Sequence, residues 1–175
     1  SFISANLSAL LAAGGKRILL VETDMRRPQL GTYFGYKGSK GLAEVLANAA
    51  EFKDVVRREN SLGGTLDILP SGSIPPNPGE LLLGDKFSEL IQSIQDQYDY
   101  IIFDSAPILP VGDTLAVARV ADAVFLVVRS EHSTIGEVQD AAKKLESVGT
   151  TVKGMIFNGV KRRRVGYGYA YRYYY

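Results

Sequence analysis

Residues 16–28 read KRILLVETDMRRP, and the reading of this stretch decides the fold. Four apolar residues, Ile18 to Val21, follow two basic ones without a polar interruption. A short unbroken apolar run is the pattern of a strand buried on both faces, as in a parallel sheet. The run then switches to Glu22-Thr23-Asp24-Met25-Arg26-Arg27-Pro28. Two acids and two arginines therefore fall at the C-terminal end of a central strand, the edge where open α/β sheets bind ligands. Taken alone, the stretch is equally a strand followed by a charged, solvated loop, because such sheets host many chemistries.

A second strand tips the reading toward function. Residues 98–107 read YDYIIFDSAP, where Ile101, Ile102 and Phe103 form the apolar core and Asp104 and then Pro107 follow. Two buried strands thus deliver carboxylates to one edge. Buried acids without partners are costly. A Mg²⁺ ion carrying phosphates would satisfy them, since it favours one or two carboxylates, water and phosphate oxygens. The second strand alone is a weak Walker B pattern; joined to the first it is more specific.

Further strands of the same apolar kind are expected over 123–128 (AVFLVV), followed by Arg129, and over 152–157, followed by Asn158. A shorter one is expected over 65–69 (TLDIL). Between them lie helical patterns. Residues 1–13 place Phe2, Ile3, Leu7, Leu10 and Leu11 at helical spacing, and Gly14-Gly15 ends the run. Residues 41–50 read as a short helix, and 52–57 as a second short element. Residues 28–40 read as a loop, and 70–78 (PSGSIPPNP) as a rigid, proline-rich one. A long helix is expected over 80–97, with Leu81, Leu82, Phe87, Leu90, Ile91 and Ile94 inward, and further helices over 113–120 and 133–148. No internal repeat is visible. Strand–helix alternation of this kind predicts an α/β fold, a doubly wound, mostly parallel sheet flanked by helices with right-handed crossovers.

Composition narrows the class. The 175 residues are 46% hydrophobic and 22% charged, with a net charge of +1 and no cysteine. One domain is expected. Disulfides and thiolate metal sites are excluded. The overall charge gives no electrostatic case for a nucleic-acid partner. No apolar run approaches the roughly 20 residues that span a bilayer, and no signal peptide is visible. The chain ends in a basic run, KRRR (161–164), and then VGYGYAYRYYY, which holds six of the ten tyrosines. A mobile tail is expected there, with an edge strand or a stacking segment as alternatives. Six phenols beside a basic run also suit a substrate. His132 reads as a solvated loop residue.

Taken together, these residues resemble the cytoplasmic kinase domain of bacterial protein-tyrosine kinases of the capsule and exopolysaccharide co-polymerase family, P-loop NTPases related to MinD and ParA. Residues 18–26 resemble the family's second Walker motif, an apolar strand followed by Asp-x-Asp-x-Arg, with Glu22 where Asp is usual. Residues 100–107 resemble its Walker B. Pro75-Pro76-Asn77-Pro78-Gly79-Glu80-Leu81-Leu82 resembles a loop and helix start typical of the family, and the tail resembles its tyrosine cluster. Residues 1–7 (SFISANL) resemble those just after the Walker A Gly-Lys, so the P-loop glycines and lysine are expected to precede Ser1 in the parent protein.

The resemblance implies a kinase domain over 1–160 and a basic, tyrosine-rich tail over 161–175. It implies phosphoryl transfer from ATP to tyrosine, autophosphorylating Tyr167, Tyr169, Tyr171, Tyr173, Tyr174 and Tyr175 in trans. Ser1 and Asp104 are assigned to Mg²⁺. Asp24 would hold the metal or orient the phenol, and Glu22 is a weaker candidate for the base. Arg26 and Arg27 would neutralise phosphate charge, with surface ion pairing as the plain alternative. Asn158 would meet adenine, or cap the following turn. The implied partners are a ring of identical subunits, a transmembrane polysaccharide co-polymerase in cis or in trans, and a cognate tyrosine phosphatase. The implied location is the cytoplasmic face of the bacterial inner membrane. A MinD/ParA-like ATPase switch and a non-catalytic kinase-like scaffold are the alternatives.

Overall fold

The computed structural model describes residues 1–36, 38–59 and 64–161. Arg162 to Arg164 of the basic run and all six tail tyrosines lie outside the described residues.

The stretch that opened the argument is the centre of the molecule. Its strand, β1 (Arg17–Glu22), runs parallel to β3 (Thr65–Leu69) on one side and β4 (Tyr100–Asp104) on the other. A short strand, β2 (Arg57–Glu59), adds to the far edge of β3 in antiparallel sense. The order is β2-β3-β1-β4, and a separate parallel pair joins β5 (Val124–Arg129) to β6 (Val152–Asn158). The α/β, mostly parallel architecture is the one expected.

Burial on both faces explains why β1 is an unbroken apolar run. Ile18, Leu19, Leu20 and Val21 are all fully buried, each contributing roughly 1.5–3 kcal/mol. Alternation sorts them into two layers. Ile18 and Leu20 face α1 (Phe2–Ala13) and α2 (Leu30–Phe34), packing with Ala5, Ala12, Leu30, Leu66 and Ile68. Leu19 and Val21 face the other layer, with Leu42 and Leu46 of α3 (Leu42–Leu46), Val55 of α4 (Phe52–Val55), Leu82 of α5 (Pro78–Leu83), Phe87 and Ile91 of α6 (Asp85–Ile94), and Val117 of α7 (Asp113–Val120). The last helix, α8 (Ile135–Glu146), begins with a capping box between Thr134 and Glu137.

Several local expectations are corrected. In α1 the small residues Ala5, Ser8 and Ala12 face inward, while Phe2, Leu7 and Leu10 are exposed. The reason is close approach: a Cβ on Gly64, just before β3, would sit 1.7 Å from the Ala12 carbonyl oxygen. Small side chains take the positions nearest the sheet, and Leu11 packs half-buried at the margin of the same cluster. The stretch 28–40 contains α2, a single turn closed by Gly35 at φ 76°. The expected long helix over 80–97 is α5, α6 and a 3₁₀ turn (Gln95–Gln97); Gly84, extended at ψ 155°, ends one helix and caps the next. Helix α5 also starts two residues earlier than expected, because Pro78 occupies its first turn, where a missing N–H costs nothing. Strands β5 and β6 alternate between half-buried and exposed rather than being sealed, since among the described residues they pair only with each other.

Asp67 is a buried acid in the middle of β3, and it is satisfied. Arg58 donates to it through two bonds of 2.8 and 2.9 Å, and the Tyr98 hydroxyl donates at 3.0 Å. Burial, with the Asp67 charge beside it, pushes the Tyr98 phenol up.

The loops at the C-terminal edge are tied by a second acid. Glu44 of α3 accepts from the backbone N–H groups of Gly41 (2.7 Å) and Ser73 (3.1 Å). Burial pushes its carboxyl up, but the Ser73 and Gly41 bonds outweigh it and hold it below the usual carboxylate range. A depressed folded pKa stabilises fully above the unfolded value and is lost as pH falls through the folded one. Glu44→Gln is therefore expected to melt below the wild type at pH 7. The two melting temperatures should converge in acid, once Glu44 is protonated in the folded state; a gap that persists there would contradict this account.

Candidate functional site

The site is built where β1 and β4 end together. Glu22 and Asp104 are register partners. The chain beyond β1 is fastened to β4, because Thr23 donates both its backbone N–H (2.8 Å) and its hydroxyl (2.9 Å) to the Asp104 carbonyl. That fastening brings Asp24 out at the end of β1, beyond the last pair of the ladder.

Asp104 is buried and points to the start of α1. The Ser4 hydroxyl donates to its Oδ1 at 2.7 Å, and the Ser1 nitrogen lies 2.9 Å from the same oxygen. Among the described residues its Oδ2 accepts nothing. Asp24 is arranged alike: its Oδ1 accepts from the backbone N–H groups of Arg26 (3.1 Å) and Arg27 (3.0 Å), a local turn that fixes the carboxylate. Among the described residues, each acid is thus held by one oxygen and has the other unbonded. No group of three or more His, Cys, Asp or Glu residues that could hold a metal occurs among the described residues. The candidate donors are two singly held carboxylates, with Ser1 at the start of α1 beside Asp104. That fits Mg²⁺, which keeps several waters and relies on substrate phosphates, and does not fit an all-protein cage.

Glu22 is held differently from Asp24 and Asp104. It is only 1% exposed. Its Oε1 accepts from the backbone N–H groups of Gln29 (2.5 Å) and Leu30 (2.6 Å), and its Oε2 from Ser71 N–H (3.1 Å). The extra methylene that distinguishes Glu from Asp carries the carboxylate into the gap between two loops, where backbone donors occupy both oxygens.

Arg26 is held. Its Nε donates to Asp113 Oδ2 at 2.6 Å and its Nη2 to Asp113 Oδ1 at 3.2 Å. The Asp113 carboxylate raises the Arg26 guanidinium above its ordinary value, first through these bonds and then through its charge. Asn158 ends β6, and its Oδ1 accepts from Gly159 N–H at 2.8 Å, so its oxygen caps the turn. His132 is an exposed loop residue whose Nδ1 lies 3.2 Å from the Ser130 carbonyl. Lys161, the first residue of the basic run, pairs with Glu131 at 2.7 Å on the surface.

Three contributors escape the sequence reading. Ser4 lies one helical turn beyond Ser1, and that spacing was its available signal. Asp113 is an acid opening a helix, an ordinary feature of helix N-termini; the cue was an arginine-rich loop needing a fixed counter-charge. Lys144 of α8 donates to the carbonyls of Leu109 (2.8 Å) and Ile108 (3.4 Å) and so ties α8 to the loop that follows β4. No local pattern announces it.

Comparison with known proteins identifies the family. The model of the AAA domain family matches residues 2–156. A putative tyrosine-protein kinase EpsB from Ralstonia solanacearum is 42% identical over 173 residues, which is 99% of this chain and 23% of that protein. The chain therefore spans about a quarter of the length of the curated relatives it matches. Among solved structures, the VpsO kinase domain superposes with a TM-score of 0.84 at 34% identity, covering 90% of this chain and 77% of the other. MinD from Pyrococcus horikoshii, complexed with Mg-ADP, superposes with a TM-score of 0.72 at 24% identity, covering 89% of this chain and 63% of the other. That likeness is one of fold. No described helix is long and apolar enough to cross a membrane.

Proposed function

The chain belongs to the kinase-domain family of bacterial tyrosine-protein kinases, within the AAA-domain ATPases, and on that premise we propose that it is an ATP-dependent protein-tyrosine autokinase domain. The observation that carries the reading is the pair of edge carboxylates, Asp24 and Asp104, each anchored through one oxygen and open at the other.

Phosphoryl transfer depends on positioning and charge neutralisation more than on covalent help. Ser1, Asp104 and Asp24 would hold Mg²⁺, which, when bound, supplies charge neutralisation to the phosphates of ATP. Asp24 also orients the incoming phenol and accepts its proton. A phenol has a pKa of about 10 and must lose that proton as it attacks. The backbone N–H groups of Arg26 and Arg27 keep the Asp24 carboxylate aimed for this. Arg26 offers its unpaired N–H groups to phosphate oxygens. Glu22 positions the loops. Asn158, whose oxygen is occupied, has its amide N–H groups left for a nucleotide base.

The acceptors are Tyr167, Tyr169, Tyr171, Tyr173, Tyr174 and Tyr175, delivered by a neighbouring copy in a ring. The domain serves regulation of exopolysaccharide or capsule export at the cytoplasmic face of the inner membrane. There it is coupled to a polysaccharide co-polymerase domain on the same or another chain, and a tyrosine phosphatase reverses the modification. Each added phosphate carries about −1.5 to −2 charges, and several on one tail would loosen its docking.

The test is mass spectrometry of the complete protein after incubation with ATP and Mg²⁺, beside an Asp24→Asn control. Phosphate on tail tyrosines, lost in the control, is expected. Hydrolysis of ATP with an unmodified tail would replace this reading with a MinD-like switch, for which the shared fold is the specific support. Neither turnover nor nucleotide binding would leave a kinase-like scaffold.

A further inference from the structure

Asp113 has no part in the reading above, yet its surroundings are built. It opens α7 and is 8% exposed. Three elements fix its place. The first turn of α5 packs against it so closely that a Cβ on Gly79 would lie 2.7 Å from Asp113 Oδ1. The Thr114 hydroxyl donates to the Ala106 carbonyl at 2.6 Å, tying the start of α7 back to the end of β4. Lys144 clamps the intervening loop at Leu109. Against this fixed carboxylate, Arg26 lies side-on through Nε and Nη2.

A guanidinium has five N–H groups in a rigid fork. The side-on pair uses two of them. The end-on edge, formed by Nη1 and the remaining Nη2 hydrogen, meets no protein group among the described residues, and the Arg26 side chain is 47% exposed. That edge matches two oxygens of a phosphate. The ordinary alternative is a surface ion pair, which contributes little. Here the acid is buried, its position is set by three neighbours, and the contact is bidentate. A pair of that kind restricts one long side chain to one orientation.

We propose that Asp113 is a positioning residue of the phosphoryl-transfer site, holding Arg26 side-on so that its end-on edge is presented to a phosphate group of the nucleotide. The inference rests on the kinase reading and adds a residue to it. Gly79 belongs to the same device, since its lack of a side chain lets α5 pack onto the carboxylate without displacing it.

The test is a mutant cycle in the complete protein, following tyrosine phosphorylation against Mg-ATP concentration. Asp113→Asn alone should lower kcat roughly 10- to 100-fold, as misplacement of a positioned group does. In an Arg26→Ala background the same change should cost less than about 2-fold, because residues acting through one contact are not additive. Asp113→Glu should recover part of the loss. Gly79→Ala reaches the same carboxylate by steric pressure alone. It should lower kcat when Arg26 is present and have little effect when it is absent, and so serves if Asp113→Asn folds poorly. Full additivity, or an unchanged kcat with only a lower melting temperature, overturns the proposal while leaving the kinase reading intact. A wild-type protein that phosphorylates no tyrosine overturns both.

Discussion

Asp104→Asn is expected to lower tyrosine phosphorylation by the complete protein roughly 100-fold or more, the scale on which removal of one transition-state charge partner is felt. The substitution is chosen because the structure separates the carboxylate's two jobs. Its Oδ1 receives the Ser4 hydroxyl at 2.7 Å, and an amide oxygen can accept that bond equally well. Its Oδ2 is open, and there an amide nitrogen offers donors where a cation needs an oxygen. Folding should hardly notice. The side chain keeps its shape, and the buried charge, itself costly, is removed. The melting temperature should therefore shift by no more than the few degrees that about 1 kcal/mol produces in a domain of this size. Raising Mg²⁺ should recover part of the lost rate. Wild-type rates in Asp104→Asn would remove Asp104 from the site.

Glu22→Gln should behave in the opposite way, with a large effect on stability. Glu22 has three backbone donors and 1% exposure. In Gln, the amide oxygen keeps the Gln29 and Leu30 bonds, but the amide nitrogen must then face Ser71 N–H, donor against donor. Reversing the amide loses two bonds instead of one. Loss of a bond to a charged acceptor, with an N–H left buried and unpaired, amounts to about 3 kcal/mol. That corresponds to a fall of roughly 6–12 °C in melting temperature. The Ser71 amide should exchange faster, because local opening of the two loops becomes easier. Were Glu22 a catalytic base as well, Gln would lower the melting temperature and also abolish turnover in the protein that remains folded. A purely positioning role predicts the lower melting temperature with turnover largely retained well below the melt.

The sequence made the centre of the fold legible for a physical reason. A strand sealed on both faces must be apolar at every position, so Ile18 to Val21 stand out without any neighbour being known. The apolar run of Ile101 to Phe103 stands out as well, but β4 ends its sheet among the described residues and these three are only half-buried, not sealed as the run suggests. The acids that end them stand out by contrast. What was hidden depends on the approach of one element to another. Phe2, Ile3, Leu7, Leu10 and Leu11 have the spacing of an inward helical face, but the backbone at Gly64 comes up against Ala12, and Ala5, Ser8 and Ala12 are the residues buried, with Leu11 half-buried beside them. Gly84 breaks a helical pattern through an extended conformation that a glycine in such a pattern need not adopt.

The site was legible to the same degree. Asp24 and Asp104 could be named, since their positions follow from strand ends. Glu22 could be named but not placed, because one methylene decides whether its carboxylate stays at the edge or reaches the loop amides of Gln29, Leu30 and Ser71. Asp113 could not be found at all from its own neighbourhood. It lies 87 residues from Arg26 along the chain, and only the packing of α5, α7 and the loop after β4 brings them together.

The most direct test of the central claim, that Asp24 and Asp104 serve transfer of phosphate to the tail of another copy, is a mixing experiment with complete proteins. One partner keeps both acids but carries Phe at the six tail positions. The other keeps its tyrosines but carries Asp24→Asn and Asp104→Asn. Incubated together with ATP and Mg²⁺, the second partner should gain phosphate on its tail, and neither should gain any alone. Phosphate on the doubly substituted partner alone would show that transfer does not need these carboxylates and would contradict the account.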